Sequence, residues 1–238
     1  MFAGMPVAII WMMCAGARIA IDGPVASGKT AVGRLLAWRL GFKFLDTGLM
    51  YRAVTLSALD LRLPLDDQTS LAQLGETLSI DVVSKDGDHR ILLGDKDVTD
   101  ALRATEVENA VSIVAQVQGV RTALVEKQRT LAKDGDIVVV GRDIGTVVLP
   151  DATLKLFLEA SVQERARRRY LELVSHGNDI KYENVEKEIL RRDQLDTQRM
   201  ISPLRPAADA WRMDTEKITV KGIVSKILAE LKECLGNG

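Results

Sequence analysis

From Arg18 onward the chain alternates two kinds of text: short apolar runs, and longer stretches in which apolar residues return every three or four positions. A parallel sheet covered by helices produces this alternation, because its strands are buried on both faces and its helices on one. "RIAID" (18–22) predicts a first strand, and "KTAVGRLLAWRL" the helix after the next loop, closed by Gly41. "FKFLD" (42–46) predicts a second strand, followed by a helix through "YRAVTLSALDL" that stops before Pro64. Leucines 71, 74 and 78 mark a further helix near 67–77.

The period then changes. "LSIDVVS" and "HRILLG" flank "KDGD", a hairpin signal, and "KDVTD" offers a third short strand. Together they predict a small antiparallel insert at about 78–100. Residues 104–133 return to helix, with a break expected around Gly119. "DIVVVG" (136–141), "LKLFLEA" (154–160) and "AWRMDT" (210–215) are three more strands of the main sheet. The runs 161–174 and 182–200 predict charged helices, and 219–235 an amphipathic one with apolar positions 220, 223, 224, 227, 228 and 231. The expectation is an α/β fold: one domain over 18–238 with a five-stranded parallel sheet, flanking helices and a small antiparallel sheet insert.

Composition narrows the partners. The 32 basic and 33 acidic residues leave a net charge of −1, which argues against polymeric nucleic acid or an anionic membrane as the main partner. Cys14 and Cys234 sit near opposite ends, and with only His89 and His176 they cannot complete a zinc set. Free thiols in a reducing cytoplasm are the expected state. The opening "MFAGMPVAIIWMMCAGA" is apolar but carries no positive charge before Arg18, unlike a secretory signal, and is short for a spanning helix. Residues 1–17 are expected to be an extension, either a loosely held segment or an upstream start codon taken in error, with a targeting or membrane role as the alternative.

One stretch carries specific chemistry. "DGPVASGKT" (22–30) contains a complete G-x-x-x-x-G-K-[ST] pattern, between a predicted strand and a predicted helix. Gly23 and Gly28 are expected to let backbone N–H groups turn inward around phosphate oxygens. Lys29 can reach the β- and γ-phosphates, Thr30 is placed for Mg²⁺, and the helix N-terminus adds partial positive charge. Nucleoside triphosphate binding on a P-loop NTPase-type sheet follows.

Three protein classes share such a loop. A GTPase switch should carry N-K-x-D, and a transport ATPase a signature such as LSGGQ; neither occurs in the chain. Arginines placed as if for a second anion occur instead. "DTGLMYR" (46–52) follows the second strand, and "VGRDIGT" (140–146) follows the third, so Thr47, Tyr51, Arg52, Arg142 and Asp143 fall at strand C-termini, where such sheets bind ligands. In "RRDQLDTQR", Arg192, Asp196 and Arg199 are spaced i, i+4, i+7, which aligns them on one helix face, either as a salt-bridge ladder or facing a phosphate and a sugar hydroxyl. "QERARRRYLEL" packs Arg165, Arg167, Arg168 and Arg169 into one helix; some should pair with Glu164 and Glu172, and one or two could close over a triphosphate.

"IDGPVASGKT", "LDTGLMYRA", "VVVGRDIGTVVLPDA", "RRDQLDTQR" and "SPLRPAADA" together resemble the motifs of bacterial cytidylate kinases, in order and over nearly all the chain after Arg18. The resemblance implies transfer of the γ-phosphoryl group of ATP to CMP or dCMP, in a cytoplasmic monomer that acts on small-molecule nucleotides. It implies that Gly23, Pro24, Val25, Ala26, Ser27, Gly28, Lys29, Thr30 and Ala31 cradle the ATP phosphates. It puts Thr47, Tyr51 and Arg52 at the monophosphate, with Arg52, Arg142 and Arg199 near the acceptor phosphate. Ser112, Arg121 and Asp143 would read the cytosine edge, and Arg192 and Asp196 would meet the ribose. Lys29, Arg142, Arg199 and Arg168, the last from a lid segment at about 161–182, would be the catalytic groups. The position before "GRDIGT", often acidic in this family, is Val140 here, so the expected holders of Mg²⁺ are Thr30, water and phosphates. A related kinase acting on UMP or AMP, or a non-catalytic nucleotide-binding module, are the alternatives.

Overall fold

The computed structural model describes residues 16–85 and 88–236. The described chain runs β1 (Arg18–Asp22), α1 (Lys29–Leu40), β2 (Lys43–Asp46), α2 (Thr47–Asp60), α3 (Gln68–Thr77), β3 (Ile80–Lys85), β4 (Asp88–Leu93), β5 (Lys96–Asp97), α4 (Thr105–Val114) and α5 (Gln118–Leu131). It continues through β6 (Ile137–Gly141), β7 (Leu154–Glu159), α6 (Val162–Ser175), α7 (Tyr182–Gln198), β8 (Trp211–Asp214) and α8 (Val220–Gly236). A five-stranded sheet has the order β2-β6-β1-β7-β8, and β3-β4-β5 form a separate antiparallel sheet. Both sheets match the expected architecture. The hairpin tip at residues 86–87, Cys14 and the first fifteen residues lie outside the described residues.

Contacts divide the chain into two units. The first comprises residues up to Phe44, Asp134–Gln198 and Pro203 onward. Its strands pair in parallel, β1 with β6 from Arg18↔Ile137 to Asp22↔Gly141, and β1 with β7 on its other side. Ile19, Ile21, Val138, Val140, Leu156 and Leu158 make one apolar layer with Val32, Leu36 and Leu40 of α1 and Ile223, Val224, Ile227 and Leu231 of α8. The apolar period expected over 219–235 therefore points into the core. At Gly33 the approach of α1 to the sheet is so close that a Cβ would stand 2.5 Å from Val140 Cγ1. Val140 is thus committed to the core against α1.

The second unit comprises Leu45–Lys133 and Arg199–Ser202. Ala53 of α2, Ile91 of β4, Val98 and Leu102 form one buried cluster in it, with Ile80, Val82 and Leu93 against it. Lys127 of α5 donates to the carbonyls of Gly75 (3.1 Å) and Leu78 (2.6 Å), covering the C-terminal end of α3. Burial holds its ammonium pKa below the ordinary lysine value.

Two expectations need correction. The helix expected over 104–133 does break, but at residues 115–117, and Gly119 lies inside the first turn of α5. Gly119 is there for packing: a Cβ would come within 2.3 Å of Ala72 Cβ on α3. The charged helix expected to reach residue 200 stops at Gln198, where Leu204 N–H returns to the Asp196 carbonyl at 2.8 Å and Ser202 takes a left-handed φ of 51°. Arg199 is therefore not the third member of a helical face.

Gly119→Ala should destabilise the protein by about 1–3 kcal/mol through overpacking against Ala72. Helix propensity alone predicts the opposite sign, a gain of about 1 kcal/mol. Urea unfolding distinguishes the two, and a gain would mean that α3 can move aside.

Candidate active site

In the first unit, the chain leaves β1 at Asp22 and enters α1 at Lys29 through the glycine loop. The loop's conformation needs residues that tolerate positive φ, with Gly23 at 150°, Ala26 at 59° and Gly28 at 93°. The two glycines have different reasons. A Cβ on Gly23 would sit 2.2 Å from the Leu158 carbonyl oxygen, so Gly23 permits the close approach of β7. Gly28 is the left-handed residue from which α1 starts, with no side-chain cap and no acidic residue in the first turn. That first turn therefore carries no acidic side chain of its own to offset the partial positive charge of the helix start. Lys29 is buried, and its ammonium donates to Pro24 O at 2.6 Å and lies 3.4 Å from Ser27 Oγ. Thr30 follows on the exposed side of the same turn.

Because Asp22 pairs with Gly141, the glycine loop and the segment after β6 leave neighbouring strands at one sheet edge. That segment winds into a π-helical turn at Ile144–Val148. Asp22 itself, given no role by the sequence reading, ties the two together. Its carboxylate accepts from Ile144 N–H at 2.8 Å and Gly145 N–H at 2.7 Å. Burial raises its pKa to about 6, with a smaller rise from nearby Asp143; the two N–H bonds and Lys29 pull the other way. A carboxylate ending an apolar strand was the available signal for it.

Arg142 and Asp143 open the π-helical turn. Arg142 Nε donates to Asp196 Oδ2 on α7 at 2.7 Å, and Asp143 is buried. Arg192 and Asp196, one helical turn apart on α7, are both buried. The arginines of α6 separate by role. Arg167 and Arg168 both bond Glu164, and Arg169 pairs with Glu172, as their spacing suggested. The bonds from Arg167 and then Arg168 hold the Glu164 pKa down at about 2. Arg168 also donates to Thr215 Oγ1 (3.0 Å) and O (2.7 Å), and its Nη1 lies 3.9 Å from where a Cβ on Gly28 would be. Arg168 is thus beside the glycine loop. Thr215, whose hydroxyl is within 3.2 Å of the Ser27 carbonyl, had no sequence signal.

In the second unit, Asp46 caps α2 by accepting from Gly48 N–H at 3.0 Å, and Thr47 and Tyr51 are buried on the first turns. Arg52 Nη1 donates to Glu108 Oε1 on α4 at 2.9 Å and to Leu102 O at 3.2 Å. Glu108 was missed because nothing in its neighbourhood forms a motif. Arg121 of α5 is buried, donates to Ala115 O at 3.2 Å and stacks over the Tyr51 ring at 5.4 Å. Ser112 is buried on α4, and the Arg199 guanidinium donates to the Ser202 carbonyl.

No group of three or more His, Cys, Asp or Glu among the described residues could hold a metal ion. The Thr30 hydroxyl stands at the start of α1, an oxygen donor of the kind that suits a cation bound mainly by a nucleotide's own phosphates.

Built this way, the first unit has the P-loop kinase fold, in which a parallel sheet presents a phosphate-binding loop at its edge. A family model described as cytidylate kinase matches residues 19–233. The cytidylate kinase of Geobacillus sp. (strain WCH70) is 44% identical over 219 residues, covering 92% of this chain and 98% of its own. That of Carboxydothermus hydrogenoformans is 47% identical over 211 residues, covering 89% and 95%. That of Bacillus subtilis is 43% identical over 215 residues, covering 90% and 96%. A solved, uncharacterized protein from Eubacterium ventriosum shares the fold, with a TM-score of 0.51 and 13% identity over 92% of this chain and 99% of that one. The chain belongs to the cytidylate kinase family.

The raised Asp22 pKa sets the sign of a pH effect. The folded state holds that proton more tightly than the unfolded chain, so the contribution is full below the unfolded value of 3.8 and lost as pH rises through about 6. The stability difference between wild type and Asp22→Asn should move toward the wild type by about 2–3 kcal/mol from about pH 7 to about pH 4. Denaturant unfolding at several pH values checks it; a flat difference would mean that Asp22 titrates like an exposed carboxylate.

Proposed function

We propose that this protein transfers the γ-phosphoryl group of ATP to CMP or dCMP, giving ADP and CDP or dCDP. The observation that carries the reading is a phosphate loop and a "GRDIGT" turn leaving adjacent strands at one sheet edge, in a chain whose family match runs from 19 to 233.

In this reading Gly23 to Ala31 hold the donor phosphates, with Lys29 on the β- and γ-oxygens. Arg52, Arg142 and Arg199 hold the acceptor phosphate beside Thr47 and Tyr51. Ser112, Arg121 and Asp143 read the cytosine edge, and Arg192 and Asp196 take the ribose. The second pKa of a nucleoside monophosphate is about 6, so the attacking oxygen is already ionised at neutral pH. No general base is needed. The residues orient that oxygen in line with the γ-phosphorus, and Lys29 and Arg168 spread the charge of the moving group. Arg168 supports this role by its bonds to Thr215 and its place beside Gly28. Mg²⁺, held by Thr30 and the phosphates, would supply further neutralisation of the triphosphate. The same reading makes the protein a cytoplasmic monomer whose partners are nucleotides rather than nucleic acid or membrane. Among the described residues no helix is long and apolar enough to cross a membrane.

The test is an ADP-coupled assay with ATP and a panel of CMP, dCMP, UMP and AMP at equal concentration. CMP and dCMP should turn over fastest. Fastest turnover of AMP would refute the base assignment, and tight ATP binding without transfer to any monophosphate would refute the enzyme. Lys29→Ala should lower kcat by at least about a hundredfold while the circular dichroism spectrum stays unchanged. A turnover near that of the wild type would remove Lys29 from the reaction.

A further inference from the structure

Arg165 is the buried arginine of α6, its side chain 5% exposed. Its guanidinium joins three elements at once. Nε donates to Ala160 O at the end of β7 (3.0 Å), and Nη1 to Val25 O in the glycine loop (3.3 Å). Nη1 and Nη2 also form a two-point bond with Asp193 of α7 at 3.0 and 2.6 Å. Asp193 stands next to Arg192 in the chain and three residues before Asp196, and Asp196 in turn accepts from Arg142. Charge-assisted bonds thus lead from the glycine loop through α6 to α7, and from α7 to the turn after β6.

A buried ion pair adds little net stability over well-packed apolar residues, whereas its two-point geometry restricts how the joined elements sit. We propose that Arg165 and Asp193 are a positioning pair, which holds α7, with Arg192, Asp196 and the Asp196-bonded Arg142, in register with the phosphate loop. The inference rests on the proposed function, since it assigns those groups to the acceptor nucleotide. Arg168 also donates to protein groups, but to Glu164 of its own helix and to Thr215. Arg165 instead reaches α7 through Asp193, and through that helix it acts on the reaction. Lysine cannot replace it, because a single ammonium lacks the planar fork that meets Asp193 at two points and Val25 with a third bond.

Steady-state kinetics of the full chain test the pair, with CMP and ATP varied separately for wild type, Arg165→Met, Arg165→Lys, Asp193→Asn and the Arg165→Met/Asp193→Asn double variant. Each single variant should lower kcat/KM for CMP about tenfold, and the double variant should be within about twofold of Arg165→Met, since both changes break one coupling. Arg165→Lys should recover no more than about twofold. A fastener without a positioning role would lower the melting temperature and leave kcat/KM for CMP within about twofold of wild type; that result overturns the proposal, as does full additivity. Hydrogen exchange reads the same coupling without turnover. Asp193→Asn should speed amide exchange about tenfold in both 23–28 and 142–148, and unchanged exchange there overturns the pair even if Arg165→Met fails to fold. Absence of CMP-dependent turnover in the wild type would strike the proposed function instead, and the exchange result would still judge the pair.

Discussion

The first unit depends on a carboxylate buried where it is least comfortable. The parallel register sets Asp22 beside Gly141, and there its two oxygens receive the N–H groups of Ile144 and Gly145. A buried carboxylate without partners would be expensive, and two orphan N–H groups in a tight turn would be as well. Each solves the other's difficulty. The consequence is that the glycine loop, which begins at the next residue, and the turn carrying Arg142 and Asp143 share one anchor. Desolvation still outweighs the two bonds, as the raised pKa records.

Around that anchor, arginines of similar sequence context acquire different duties through their surroundings. On α6 alone, Arg165 faces inward to Asp193 and the loop carbonyl, Arg167 pairs with Glu164 at the surface, and Arg168 turns toward Thr215 and Gly28. A helix turns 100° per residue, so successive side chains point in different directions, although Arg167 and Arg168 both still reach Glu164 one turn back. The run "RARRR" therefore distributes charge in several directions. In the second unit the same economy uses other chemistry: Arg52 is matched by Glu108, and Arg121 by the face of Tyr51. Phosphoryl transfer between two nucleotides calls for many fixed cations, and each of these arginines is oriented by a protein partner.

Glycines mark where sequence patterns and packing diverge. Gly119 resembles a helix breaker, yet α5 runs through it because α3 lies too close for a side chain. Gly23 belongs to a phosphate-binding pattern, yet the atom that excludes its Cβ is the Leu158 carbonyl of β7. Arg199 fits a helical face by count, but the helix ends before it, since the chain folds back from Ser202 toward Asp196. In each case the local pattern was real and the neighbour that gave it meaning was distant in sequence.

By itself the sequence determined the α/β class, the five main strands, the separate small sheet, the phosphate loop and the motif order that marks the family. These rest on apolar period and on contiguous residues, which act over one turn or one strand. Asp22 with the 144–145 amides, Arg165 with Asp193, Arg52 with Glu108 and the Thr215 contact to Ser27 were decided only in three dimensions. Those pairs join residues 28 to 188 positions apart, or 122 and 123 in the case of Asp22. No short-range rule relates such positions; they meet because strand register and helix packing bring their backbones together, and burial then requires each polar group to find a partner.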